Sequence, residues 1–125
     1  MAQTILVVED DEHVAGLIAA ALGKQGYLVS QAKNSMEAMR LWTDSGPPFE
    51  LLISDVRLEE EDDGFVLAEK LLELRPEVPV IFISGDQDCF ASPAIQRFGD
   101  APFIAKPFDL KKLAKAVGDM LAKKS

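Results

Sequence analysis

The chain reads as an α/β protein built on a five-stranded parallel sheet with helices on both faces. Three observations predict this. Apolar runs at 5–8, 51–54, 80–83 and 103–105 are short and largely continuous rather than alternating, as strands covered on both faces require. Segments of helical length and period separate them. Each run also ends in a polar residue of a different chemical kind: Glu9 and Asp10, Asp55, Ser84, and Lys106. In a parallel sheet the carboxyl ends of the strands are where ligands bind, so these side chains are expected to converge on one edge.

The elements follow in order. After strand 1, Val14, Leu17, Ile18, Ala21 and Leu22 recur at helical spacing and predict one apolar stripe, with Gly26 as the stop. Residues 27–32 read as strand 2. Asn34 with Glu37 three residues on predicts the cap of a second helix that carries Ala38, Leu41 and Trp42 inward. Gly46, Pro47 and Pro48 break the chain before strand 3 at 51–54. An acidic loop leads into a helix over about 64–74 with Phe65, Ala68, Leu71 and Leu72 inward. Pro76 and Pro79 fence strand 4. Ser92 and Pro93 suit the cap and first position of a late, short fourth helix. Strand 5 is 103–105, and a fifth helix begins near Asp109 with Leu110, Leu113, Ala114, Val117 and Leu121 on one face. Right-handed crossovers then distribute the helices over both sides of the sheet.

At 125 residues, 48% of them hydrophobic, the chain is sized for one domain over 1–125. Thirteen Lys and Arg against 21 Asp and Glu give a net charge of -8, which repels nucleic-acid phosphates and anionic lipid. Neither direct nucleic-acid binding nor membrane association is expected. Cys89 is the single cysteine, so no internal disulfide forms, and no leader or long apolar span stands out; the cytoplasm is the expected compartment.

The chemistry sits at the strand ends. Hard divalent cations take oxygen ligands, and Glu9, Asp10 and Asp55 supply carboxylates. Crowding these acids is costly unless a cation stands between them. The plainer alternative is that Asp10 or Asp11 simply caps the first helix. Asp55 stands alone after strand 3, where a carboxylate can attack phosphorus to form an acyl phosphate; its plainer role is a turn residue. Lys106, biased toward extended geometry by Pro107, can reach back as a point charge against phosphoryl oxygens. Ser84 can donate its hydroxyl to such an oxygen, and Gly85 leaves room beside it.

These residues resemble a family, the receiver domains of two-component response regulators. The likeness spans essentially the whole chain through ILVVEDD, LLISD, VPVIFISG and FIAKPF in order. It implies a flavodoxin-like (βα)5 fold with strand order 2-1-3-4-5. By position, Asp55 matches the phosphoacceptor and Asp10 a direct ligand of Mg²⁺, or of Mn²⁺ in its place. Glu9 matches a ligand acting through water, and the carbonyl of Arg57 the backbone ligand. Ser84 matches the switch hydroxyl, Lys106 the phosphate-pairing lysine and Phe103 the aromatic switch. The resemblance implies phosphoryl transfer from a histidine kinase or histidine phosphotransfer protein to Asp55. It further implies that the face made by the fourth helix, strand 5 and the fifth helix binds an unidentified protein output partner. Such a chain is not a turnover enzyme: it catalyses only its own phosphotransfer and autodephosphorylation. Arg57 and Asp86 lie two residues beyond Asp55 and Ser84, where a pair of side chains can shield the phosphoryl group and tune its lifetime.

The sequence departs from the family pattern in three places. Proline and glycine usually stand four and eight residues after the phosphoacceptor; here Glu59 and Asp63 do, with Gly64 one step later. A one-residue insertion is predicted, within a solvated acidic stretch at 59–63. Phe103 replaces a common tyrosine, so its packing needs no phenolic hydroxyl. Pro93 makes a long fourth helix costly. His13, the single histidine, has no surroundings that suit a phosphodonor. Two other function classes are an aspartate-nucleophile phosphatase of haloacid dehalogenase type and a phosphorylation-independent docking module. The first needs a D-x-D nucleophile after strand 1, where this chain has Glu9, Asp10, Asp11 and Glu12. The acids, Ser84 and Lys106 weigh against the second.

Overall fold

A computed structural model describes residues 3–44, 48–56, 64–84, 98, 101–105 and 109–124. Within them the element order is β1 (Thr4–Val8), α1 (Glu12–Lys24), β2 (Leu28–Ala32), α2 (Ser35–Thr43), β3 (Leu51–Asp55), α3 (Gly64–Leu74), β4 (Val80–Ser84), β5 (Phe103–Ala105) and α4 (Leu110–Lys124). Helix α4 is the fifth helix of the sequence reading. The short helix expected around Pro93 falls outside the described residues. All strands are parallel, in the order β2-β1-β3-β4-β5. The predicted fold class and strand order are those observed.

Strand alternation divides the core into two layers. Ile5, Val7, Leu51, Ile53, Ile81 and Ile83 face α1 and α4, where Ile18, Leu22, Leu113, Val117 and Leu121 meet them. Their neighbours Leu6, Val8, Leu52, Val80 and Phe82 face α2 and α3, against Ala38, Trp42, Phe65, Ala68 and Leu71. Because both faces are covered, β1, β3 and β4 are apolar at nearly every position. The buried Trp42 indole also donates to the Leu71 carbonyl at 3.0 Å, tying α2 to α3.

Helix termini follow local chemistry. Asp11 caps α1, its side chain accepting from the N–H groups of His13 and Val14 at 3.0 and 3.3 Å. At the other end Gly26 N–H donates to the Gly23 carbonyl and Tyr27 N–H to that of Leu22, the paired bonds of a Schellman motif. Gly26 sits at φ 94, which glycine adopts without penalty. The Asn34 side chain accepts from Glu37 N–H at 2.9 Å, the predicted cap of α2. Asp109 accepts from Lys111 N–H at 2.8 Å at the head of α4.

Three expectations need correction. The α1 stripe is rotated: Ala15 is buried beside Ile18 and Leu22, whereas Leu17 is 45% exposed. Hydropathy alone favours the larger side chain, but the buried position holds the small one. Strand β2 begins at Leu28 rather than Tyr27, whose backbone is held in the Schellman turn. Asp55 and Ser84, expected just beyond their strands, are instead the last residues within β3 and β4.

Candidate functional site

The chain runs from β1 outward to β2 and then back across to β3, so the direction of winding reverses between β1 and β3. A crevice forms outside the strand ends at such a reversal. In the register Val8 lies opposite Ser54, which places Glu9 and Asp55 side by side one step further on. One carboxylate oxygen from each of Glu9, Asp10 and Asp55 lies within 4.8 Å of the others. Glu9 and Asp55 are buried, at 1% and 4% exposure, while Asp10 is open to solvent. Two buried carboxylates and an exposed one at this separation form a hard, oxygen-only donor set, the kind that Mg²⁺ selects.

Backbone bonds fix this corner. Glu9 N–H donates to the Ala32 carbonyl at 2.9 Å, which anchors the end of β1 to β2. The Glu9 side chain in turn accepts from Asp11 N–H at 3.1 Å. Since Asp11 supplies the helix cap, the capping alternative is taken by Asp11 and Asp10 is left facing the acid cluster. Glu9 also borders an open polar cleft of about 340 Å³, lined among others by Glu12, Gln31, Lys33 and Glu37.

Ser84 is buried at the end of β4, opposite Ala105 in the register. Alternation puts it on the same sheet face as Phe82, two residues earlier, and Phe82 lies opposite Phe103. Phe103 is half-buried in a cluster of aromatic rings. Its centroid is 5.2 Å from that of Phe82 and 5.9 Å from that of Phe65, and Phe98 lies 4.8 Å from Phe82. The serine and the aromatic residue expected to act together thus share one face, while Glu9, Asp10 and Asp55 gather at the adjoining edge. Arg57, Asp86 and Lys106 lie outside the described residues, as does the 59–63 acidic stretch. Gly64 opens α3, and its N–H donates to the Val56 carbonyl at 2.7 Å. Ser54 was not anticipated: its hydroxyl, wholly buried, donates to the Asp55 carbonyl at 3.0 Å. The signal for it was a hydroxyl inside an otherwise apolar strand.

A parallel five-stranded sheet with three acids at its point of reversal defines a class, and sequence comparison identifies it. The response regulator receiver domain family matches residues 5–118, and the chain belongs to that family. It is similar to the response regulator receiver protein CpdR of Brucella abortus (strain 2308), 34% identical over 94% of this chain and 95% of that protein. It also resembles part of the sensor kinase CckA of the same organism, 38% identical over 96% of this chain and 13% of that protein. The DNA-binding transcriptional regulator NtrC of Bradyrhizobium sp. (strain RP501 Parasponia) is 33% identical over 97% of this chain and 25% of that protein. The chain therefore spans nearly all of one relative and a small part of the others. Among solved structures, a CheY-like response regulator receiver domain protein from Methanospirillum hungatei JF-1 superposes with a TM-score of 0.87 at 25% identity, over 99% of this chain and 97% of that one. The receiver domain of NtrX from Brucella abortus does so with a TM-score of 0.83 at 29% identity, over 94% and 98%. Receiver domains work with histidine kinases in two-component systems. Among the described residues no helix is long and apolar enough to cross a membrane.

Proposed function

We propose that this receiver accepts a phosphoryl group on Asp55 from the phosphohistidine of a histidine kinase or histidine phosphotransfer protein. The observation that carries this reading is the gathering of Glu9, Asp10 and Asp55 oxygens within 4.8 Å at the reversal point of the sheet. An Asp55 carboxylate oxygen attacks phosphorus in line. The P–O bond forms as the P–N bond breaks, and the imidazole nitrogen keeps the departing electron pair. Asp10 and Asp55 would hold Mg²⁺ directly, with Glu9 acting through water and the Arg57 carbonyl as the backbone ligand. When bound, the cation neutralises charge on the phosphoryl oxygens.

Lys106 adds a second positive charge from the end of β5. The Ser84 hydroxyl donates to a phosphoryl oxygen, and its inward movement frees space for Phe103. The face that the family makes from its fourth helix, β5 and the fifth helix changes in consequence and binds a protein output partner. The phosphoryl group biases this two-state element because its contacts are better made in one state. Water then hydrolyses the acyl phosphate; no separate substrate is turned over. Arg57 and Asp86 set the lifetime, so Arg57→Ala and Asp86→Ala change the dephosphorylation rate, and unchanged rates would remove them from this role.

The test is incubation with acetyl phosphate and Mg²⁺ followed by intact-protein mass spectrometry. One added phosphoryl group is expected on the native chain and none on Asp55→Asn. A native chain that stays unlabelled, and that shows no Mg²⁺-dependent binding of beryllium fluoride, is a docking module instead.

A further inference from the structure

We propose that Gly64 and Ser54 are positioning residues for Asp55: they clamp the peptide that follows it, and the clamp sets where its carboxylate stands relative to Glu9 and Asp10. The inference rests on Asp55 being the phosphoacceptor and adds two residues that act through it. The Asp55–Val56 peptide and the Val56 carbonyl beyond it are held from several directions. Val56 N–H donates to the Ile83 carbonyl of β4 at 2.9 Å, and the Val56 carbonyl accepts from Gly64 N–H at 2.7 Å. The Ser54 hydroxyl donates to the Asp55 carbonyl at 3.0 Å. Gly64 then closes the remaining side by contact. A Cβ placed on it would overlap the Asp55 carbonyl oxygen and stand 2.9 Å from both the Asp55 carbonyl carbon and the Val56 Cα.

Every obstacle named is backbone, so no change of rotamer clears it. The demand on Gly64 is for space alone, since among the described glycines only Gly26 has a positive φ. Any side chain at 64 must push back either α3 or the peptide from whose first Cα the Asp55 carboxylate hangs. Ser54 belongs to the same device. A fully buried hydroxyl is costly to desolvate unless bonded, and this one uses its donor on the Asp55 carbonyl. Gly64, nine residues beyond Asp55, is the residue that stands against the Asp55 carbonyl.

A purely structural role would lower stability and leave the chemistry alone, and this difference can be measured. Gly64→Ala and Ser54→Ala are compared with Gly23→Ala, whose added methyl meets nothing within 4 Å. Mg²⁺ affinity is read by calorimetry, Asp55 labelling by acetyl phosphate at saturating Mg²⁺, and folding by circular dichroism and melting. A shift of about 1 Å at a reacting group can cost about a hundredfold, so Gly64→Ala is expected to bind Mg²⁺ about tenfold more weakly and to label ten- to a hundredfold more slowly, as orders of magnitude. Ser54→Ala shifts both readouts the same way by roughly threefold, the scale of one hydrogen bond. Gly23→Ala matches the native chain. A folded Gly64→Ala with native affinity and labelling rate overturns the clamp, whatever its melting temperature. Should that variant not fold, native values for Ser54→Ala overturn it. A native chain that takes no label rejects the phosphoacceptor reading itself, whereas a labelled native chain with equally fast variants rejects the clamp alone.

Discussion

Asp10 and Asp11 are adjacent and chemically identical, yet the fold divides two roles between them. Asp11 spends its side chain on the first turn of α1, and Asp10 turns to the acid cluster. Replacing each therefore has a different result. Asp11→Ala loses a helix cap and about 1 kcal/mol of stability, read by denaturant titration, with Mg²⁺ affinity largely kept. Asp10→Asn weakens Mg²⁺ binding by roughly tenfold or more, and relieves like-charge crowding so that the metal-free chain melts higher. An Asp11 variant that loses the cation, or an Asp10 variant that keeps it, reverses the assignment. In the run Glu9, Asp10, Asp11, Glu12 spacing could not say which aspartate caps the helix, because both precede it; the backbone N–H groups aimed at Asp11 decide that. Asp55 and Ser84 were legible because each closes an apolar run. Ser54 was not, because a hydroxyl inside an apolar strand does not by itself say which group it bonds.

At the scale of elements, apolar runs located β1, β3, β4 and β5 to within a residue, since strands covered on both faces leave few polar positions to confuse them. The edge strand β2 was placed as closely, with only its start one residue early at Tyr27. Leu28 is 59% exposed at the start of β2, and the exposed edge lacks the apolar continuity that marks its neighbours. The α1 stripe was misjudged at Leu17 because amphipathic patterns weigh side chains by size, whereas the buried side of the helix takes whatever fits, here Ala15. Gly26 makes the clearest prediction for a helix end. Alanine there must hold a left-handed backbone, so Gly26→Ala is expected to cost about 1–2 kcal/mol in thermal or denaturant unfolding. Loss of less than a few tenths would mean that the turn relaxes without it.

For the molecule as a whole, a cation held by the acid cluster would be coupled to folding. Glu9 and Asp10 come from one β-α connection and Asp55 from another strand, so the donor set exists only when β1 and β3 are paired. A ligand that binds only the folded state stabilises it by about 2.7 kcal/mol at a hundredfold excess over its dissociation constant. Saturating Mg²⁺ should thus raise the melting temperature by several degrees, and a chelator should reverse the gain. Asp55→Asn should lose most of it; a melting curve indifferent to Mg²⁺ would argue against a metal centre. The two-layered core carries one more consequence. The chain has a single tryptophan, and Trp42 is buried between α2 and α3, bonded to Leu71 and stacked on Phe49 with ring centroids 5.7 Å apart. The molecule therefore carries a built-in optical reporter of one side of its sheet: shielded emission while that layer is intact, and a shift to longer wavelength when water reaches the indole.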